Sequence, residues 1–176
     1  MAADSASAPA RGQVPAHEVE VQFVVDATGL PGASQIHSWV DTALLGQGRP
    51  VEVVVRIVDE AEIQDLNKRF RHRDQPTNVL SFPSVLGPGR ELPDESWNGV
   101  QDPTLLGDLV IAAPVVRREA DEQGKTIEAH FAHMVVHGVL HLLGHDHLED
   151  DEAVEMEAAE CHILRTLGYD DPYREP

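Results

Sequence analysis

Residues 50–70 read PVEVVVRIVDEAEIQDLNKRF, and the fold turns on how this stretch is parsed. Pro50 opens a run of mostly β-branched residues, Val51-Glu52-Val53-Val54-Val55-Arg56-Ile57-Val58, the strongest strand signal in the chain. Asp59 stands where a helix N-cap is needed. Ile63 and Leu66 give the segment after it, through about Phe70, an apolar face. A strand passing at once into a helix is the unit of a sheet covered by helices.

The same alternation extends both ways. Upstream, apolar residues from Val19 to Val25 alternate with Glu20 and Gln22, a half-buried strand. Ser34 is placed to cap a helix carrying Ile36, Trp39, Val40, Ala43 and Leu44, ended by Gly46. Downstream, Asn78-Val79-Leu80-Ser81-Phe82 lies between Pro76 and Pro83 and reads as a short edge strand. Residues 84–104 carry Pro88, Gly89, Pro93, Gly99 and Pro103 and read as a surface loop. Leu105 to Ala112 reads as a strand interrupted early by Gly107-Asp108, with Asp108 either a turn residue or a carboxylate behind the site.

Pro114 fits the first turn of a helix to about Gln123. Thr126 to Leu143 is the most apolar helix, with Gly144 where it stops. Asp150 to Leu167 is the last helix, with Val154, Ala158, Cys161, Leu164 and Leu167 as its core face. Residues 1–15, rich in Ala, Ser and Pro, read as a disordered tail, and 16–176 as one domain. The pattern favours α/β or α+β, with one small sheet covered by helices.

Composition narrows the function. The 176 residues carry 13 basic and 31 acidic side chains, a net −18. Coating nucleic acid by bulk charge takes clustered Lys and Arg, and docking on anionic lipid takes the same. No apolar run approaches the ~18 residues that span a bilayer, and the N-terminus lacks the apolar core of a signal peptide. The single Cys161 excludes an intramolecular disulfide framework and a multi-Cys zinc ribbon. A cytoplasmic protein is the expectation.

Six of the ten histidines fall between His130 and His147. His137 and His141 are four apart on the apolar helix, so their rings leave one face a turn apart. Gly144 permits a left-handed turn that lets the chain bend back and deliver His147. His137-x-x-x-His141-x-x-Gly144-x-x-His147 has the spacing of metzincin-type zinc sites. Three His with an open fourth position are catalytic-type coordination. The alternative is a set of capped or packed helix histidines. His133 continues the stripe, but it would lie ~12 Å from His141 along the axis, so His133 and His130 are read as packing residues or supports of the ligands. His145 competes with His147 at the same turn, and His162 is ordinary. A zincin protease carries Glu directly after its first His as general base. Here that position is Gly138, which weighs against peptidase chemistry.

Lys68, Arg69, Arg71 and Arg73 occupy six positions around His72, a local reversal of sign in an acidic chain. They could steer a phosphate chain, or form a solvated helix end that favours the C-terminal dipole. The neighbouring edge strand could take up an extended substrate, or be a plain edge.

Taken together, Arg71-His-Arg-Asp-Gln-Pro-Thr-Asn-Val-Leu-Ser-Phe-Pro83, Leu106-Gly-Asp108 and His137-Gly-Val-Leu-His-Leu-Leu-Gly-His-Asp-His147 resemble the YbeY family of bacterial rRNA-maturation proteins. Val55-Arg-Ile-Val-Asp59 and Leu167-Gly-Tyr-Asp-Asp-Pro-Tyr173 fit it too, so the resemblance spans roughly 19–173. It implies a compact α+β domain with a four-stranded, mostly parallel sheet and about five helices. It implies a single-strand-specific metallo-endoribonuclease acting in 16S rRNA 3′-end maturation and late ribosome quality control. It places one Zn²⁺ on His137, His141 and His147 and a functional arginine at Arg71. His145 departs from the family, whose members often carry an aromatic residue there, and leaves open an alternative or fourth ligand. The partners implied are ribosomal RNA and the small ribosomal subunit, with a ribosome-associated GTPase or ribosomal protein, and no membrane.

On this reading His137 and Arg71 are the catalytic residues. The ion polarises a phosphate oxygen or activates a water, and Arg71 holds the scissile phosphate. The base is unassigned, with His133, His145 and Asp146 as candidates, and the nucleophile is either a water or the substrate's own 2′-hydroxyl. Two rivals stand beside it: a metal-dependent hydrolase of another substrate, peptide included, and a non-enzymatic ribosome-assembly factor stabilised by its metal.

Overall fold

The computed structural model describes residues 16–84, 104–145 and 150–174. In chain order the elements are β1 (Glu18–Phe23), α1 (Ala33–Ala43), β2 (Val51–Val58), α2 (Glu60–Arg71), β3 (Val79–Pro83), β4 (Thr104–Ala112), α3 (Ala113–Glu122), α4 (Ile127–Leu142) and α5 (Asp150–Thr166). The four strands form one sheet in the order β1-β2-β4-β3. β1, β2 and β4 run parallel, and β3 pairs antiparallel with β4 at the edge. This is the mostly parallel, four-stranded α+β sheet with five helices that the resemblance implied. The expectations for residues 1–15 and the 84–104 loop fall almost wholly outside the described residues.

The quoted stretch sits at the centre. Val53, Val55 and Ile57 of β2 are fully buried in the larger core, beneath α1, α4 and α5. Val58 turns to the other face and packs with Ile63, Leu80, Val110, Ala112 and Val115 beneath α2 and α3. Both faces of a parallel strand are covered, so its apolar residues run nearly without break. Asp59 caps α2 as expected, its side chain accepting from the Glu62 N–H at 2.9 Å.

Local starts and stops differ from the sequence reading at two places. Gly32, not Ser34, is the N-cap of α1, because the Gln35 side chain reaches back and accepts from the Gly32 N–H at 3.0 Å. β4 is not broken at Gly107: it runs through, with a register shift opposite Glu52 and Val53 that absorbs one residue. Beyond the shift Leu109 and Ile111 face the larger core and Val110 and Ala112 the smaller. Alternation therefore puts Asp108 on the α2 side of the sheet, away from α4. Burial there pushes its carboxyl above the ordinary range.

α4 is buried at eleven of its sixteen positions, which makes it a core helix rather than an amphipathic surface one. Thr126 caps its start by accepting from the Ala129 N–H at 3.1 Å. At its end Gly144 has φ +92, its N–H donates to His141 O, and the His145 N–H donates to Leu140 O. That paired closure is a Schellman turn, and it puts the left-handed bend where the histidine spacing asked for it.

Candidate metal centre

α4 brings the first two predicted ligands together. The His137 and His141 rings are 4.5 Å apart between centroids, and Nε2 of one lies 3.1 Å from Nε2 of the other. Each ring has its Nδ1 engaged elsewhere. His137 Nδ1 lies 2.5 Å from Glu160 Oε1, and His141 Nδ1 lies 3.0 Å from the His145 carbonyl oxygen. A carboxylate and a carbonyl accept, so both Nδ1 atoms carry the proton. In the neutral rings both Nε2 atoms then turn lone pairs toward one another. Two lone pairs at this distance repel unless a cation lies between them. Two nitrogens on one tetrahedral zinc, at bond lengths of about 2.0–2.1 Å, stand about 3.3 Å apart. The donors and their spacing fit a metal ion. His147 and Asp146 lie outside the described residues.

Sequence reading missed Glu160. It is fully buried, in line with Met156 and Leu164 on the face of α5 that meets the core. The expected face of α5 is therefore corrected: Val154 is 65% exposed and Ala158 is exposed too. The stripe Met156, Glu160, Leu164 repeats every four residues. A carboxylate at the middle of a buried stripe is unexpected, because burying it unpaired is costly. Three donors meet that cost. His133 Nε2 at 3.3 Å, His137 Nδ1 and the Tyr173 hydroxyl all donate to Glu160. Burial pushes its pKa up, but these hydrogen bonds outweigh burial and hold the carboxyl at about 2. Burial first, then Glu160, pushes the Tyr173 phenol well up, so it remains a donor.

His133, His137 and Glu160 each offer a ligand atom within 4.8 Å of the others, a group that could hold a metal ion. The 2.5 Å contact between His137 and Glu160 is shorter than the roughly 3 Å that separates two ligands of one ion at zinc bond lengths. It reads as a charge-assisted hydrogen bond. Glu160 then stands behind His137 and leaves its Nε2 turned to His141, the place a carboxylate commonly takes behind a metal-bound imidazole.

The remaining histidines divide. His130 turns from this group to Glu119, 2.8 Å away, and Asn78 donates to both Glu119 oxygens. His133 supports Glu160. Both keep a buried Nδ1 without a hydrogen-bond partner among the described residues. Of the two, His130 packs against Glu119 and away from this group, and His133 joins it through Glu160.

Gly138 explains the missing zincin glutamate. A Cβ there would stand 2.7 Å from Leu109 Cδ2 and 3.3 Å from Ser81 Oγ. The position faces the sheet, so no side chain can project from it toward the histidines. Its carbonyl accepts from Ser81 Oγ at 3.2 Å, and the Ser81 carbonyl accepts from Arg71 Nη2 at 3.0 Å. Two hydrogen bonds therefore tie Arg71 to the residue beside His137. At the same end of α2 Lys68 pairs with Asp74 and Arg69 with Asp65 on the surface.

The family profile described as Endoribonuclease YbeY matches residues 32–168. The chain belongs to the YbeY family. The match takes in α1 through α5, with both α4 histidines, Glu160 and Arg71 inside it. A solved relative, the solution structure of TM1509 from Thermotoga maritima, is similar at 25% sequence identity and TM-score 0.53. The similarity covers 89% of this chain and 99% of that one. Membership in YbeY supports an endoribonuclease role in rRNA processing. No described helix is long and apolar enough to cross a membrane.

Proposed function

We propose that this YbeY protein is a zinc-dependent, single-strand-selective endoribonuclease of the cytoplasm. It acts on ribosomal RNA, at 16S 3′-end maturation and in late ribosome quality control, with the small ribosomal subunit and a ribosome-associated GTPase or ribosomal protein as partners. The observation that carries the reading is the pair of imidazoles with Nε2 atoms 3.1 Å apart and both Nδ1 protons committed. His137, His141 and His147 are the proposed ligands of one ion, with His145, at the same turn, the alternative to His147. A zinc ion bound there supplies Lewis-acid polarisation of a phosphate oxygen and a water of lowered pKa.

The chain's own residues do the rest. Glu160 fixes the tautomer and direction of His137. Arg71 uses one donor on Ser81 and keeps others for the scissile phosphate, where it offsets charge that grows in the transition state. His133 is committed to Glu160 and makes a poor base. His145 and Asp146 remain for that task, and the RNA 2′-hydroxyl is a candidate nucleophile. A 2′,3′-cyclic phosphate product would identify the 2′-hydroxyl as nucleophile, and a 5′-phosphate would identify water. Gly138, buried against Leu109, argues against the peptidase rival.

The test is cleavage by pure metal-loaded protein of single-stranded rRNA against its duplex form. Cleavage of the single strand, abolished by chelation and reduced at least about tenfold in Arg71→Ala, is expected. A holoprotein that cuts neither form, yet unfolds on chelation, would move the account to the assembly-factor rival.

A further inference from the structure

Phe70 stands out among the exposed apolar side chains. It ends the apolar stripe of α2, and the residue is 58% exposed. It touches Phe82 of the edge strand β3 in a T-shaped contact, 5.3 Å between centroids. Val154 is more exposed but stands among the acids of α5, and Tyr173 has its hydroxyl committed to Glu160. Phe70 alone lies among cations: Arg69 and Arg71 flank it, and Arg73 follows. The Arg73 side chain makes no hydrogen bond among the described residues. In a chain of net charge −18, an open aromatic ring inside the main basic cluster suits a polyanion that carries π-faces.

We propose that Phe70 is a stacking platform for one unpaired base of the RNA, with Arg71 and Arg73 on the flanking phosphates. The inference rests on the endoribonuclease reading and adds where the substrate is gripped. Aromatic rings stack on any base, while arginines track the backbone, the combination that single-strand binders use. A paired base inside a duplex already has both faces stacked and cannot mount Phe70. The platform is therefore a source of single-strand selectivity that needs no base-specific hydrogen bond. Arg71 links it to the metal centre through Ser81 and Gly138.

The experiment measures binding of metal-loaded protein to a labelled 2′-O-methyl oligoadenylate ten-mer, checked intact on a gel, and to a counterpart of equal charge with abasic positions. Phe70→Ala and Phe70→Leu are expected to weaken binding of the ten-mer about five- to hundredfold, the range of one base–aromatic stack. Phe70→Tyr should bind as wild type does. The abasic strand should bring wild type down to the level of Phe70→Ala. Arg71→Ala should weaken both strands alike. Equal binding of the ten-mer by wild type, Phe70→Ala and Phe70→Leu would overturn the platform and leave the patch to a protein partner. Cleavage of the unmodified ten-mer by the same preparation tests the endoribonuclease reading separately; if wild type neither binds nor cuts it, both fall.

Discussion

Glu160 carries more of the site than its place in the sequence suggests. Replacing it with Ala leaves the N–H groups of His133 and His137 buried or half-buried without an acceptor. The expected cost is about 1–3 kcal/mol of stability, read as a lowered thermal midpoint. Metal affinity should fall about 10–100-fold, read by competition with a chelator. Unchanged affinity would mean that His137 is aimed by packing alone. Gly138 answers to the opposite constraint. Gly138→Ala should cost about 1–3 kcal/mol, because the added methyl overlaps Leu109. Gly138→Glu should lose stability and gain no casein cleavage; a gain would show that the position can reach the site after all. His130 gives a pH signature away from the ligands. Burial lowers its pKa, and the Glu119 hydrogen bond offsets only part of that. The unfolded chain takes up this proton more readily, so stability is full above about pH 6.5 and declines as pH falls through it. Denaturation midpoints between pH 8 and 5 should show the decline, flattened in His130→Gln.

At the scale of elements, much was legible. The β-branched run of β2, the Asp59 and Thr126 caps and the Gly144 stop are local signals, and local physics honours them. The α5 face was not legible. Its buried stripe includes a carboxylate whose donors come from α4 and the C-terminal segment, and no local rule foretells partners that distant. The β3 edge was half legible. Asn78 O and Ser84 N bond to β4, so the intervening odd positions turn their backbone groups outward. There the Val79 N–H takes Asn78 Oδ1 at 2.7 Å, the Ser81 carbonyl takes Arg71, and Pro83 has no N–H. The edge is blunted against a further strand, which weighs against uptake of a substrate by strand addition. At the end of α2, His72 sits in the left-handed region at φ 59. His72→Gly should raise stability by up to about 1 kcal/mol by relieving that conformation. A lowered melting point would show that the His72 ring makes a contact worth more than the strain.

For the whole molecule, the −18 charge reads as separated regions rather than a uniform coat. Seven acids lie between Glu149 and Glu160, though Glu160 itself is inside. The opposite sign gathers at the end of α2, where two of four cations are already ion-paired. RNA binding by the isolated chain should therefore be weak and strongly salt-dependent, with a log–log slope set by the few phosphates engaged. Tight binding that ignores salt would contradict this. The third proposed ligand, His147, is named by the spacing alone and lies outside the described residues. The measurement that bears most directly on the account couples metal content to cleavage of single-stranded rRNA in wild type and His141→Ala. One zinc per chain with cleavage in wild type, and loss of both in a folded His141→Ala, is the predicted result. A wild type without bound metal, or a His141→Ala that still cuts RNA at the wild-type rate, would contradict it.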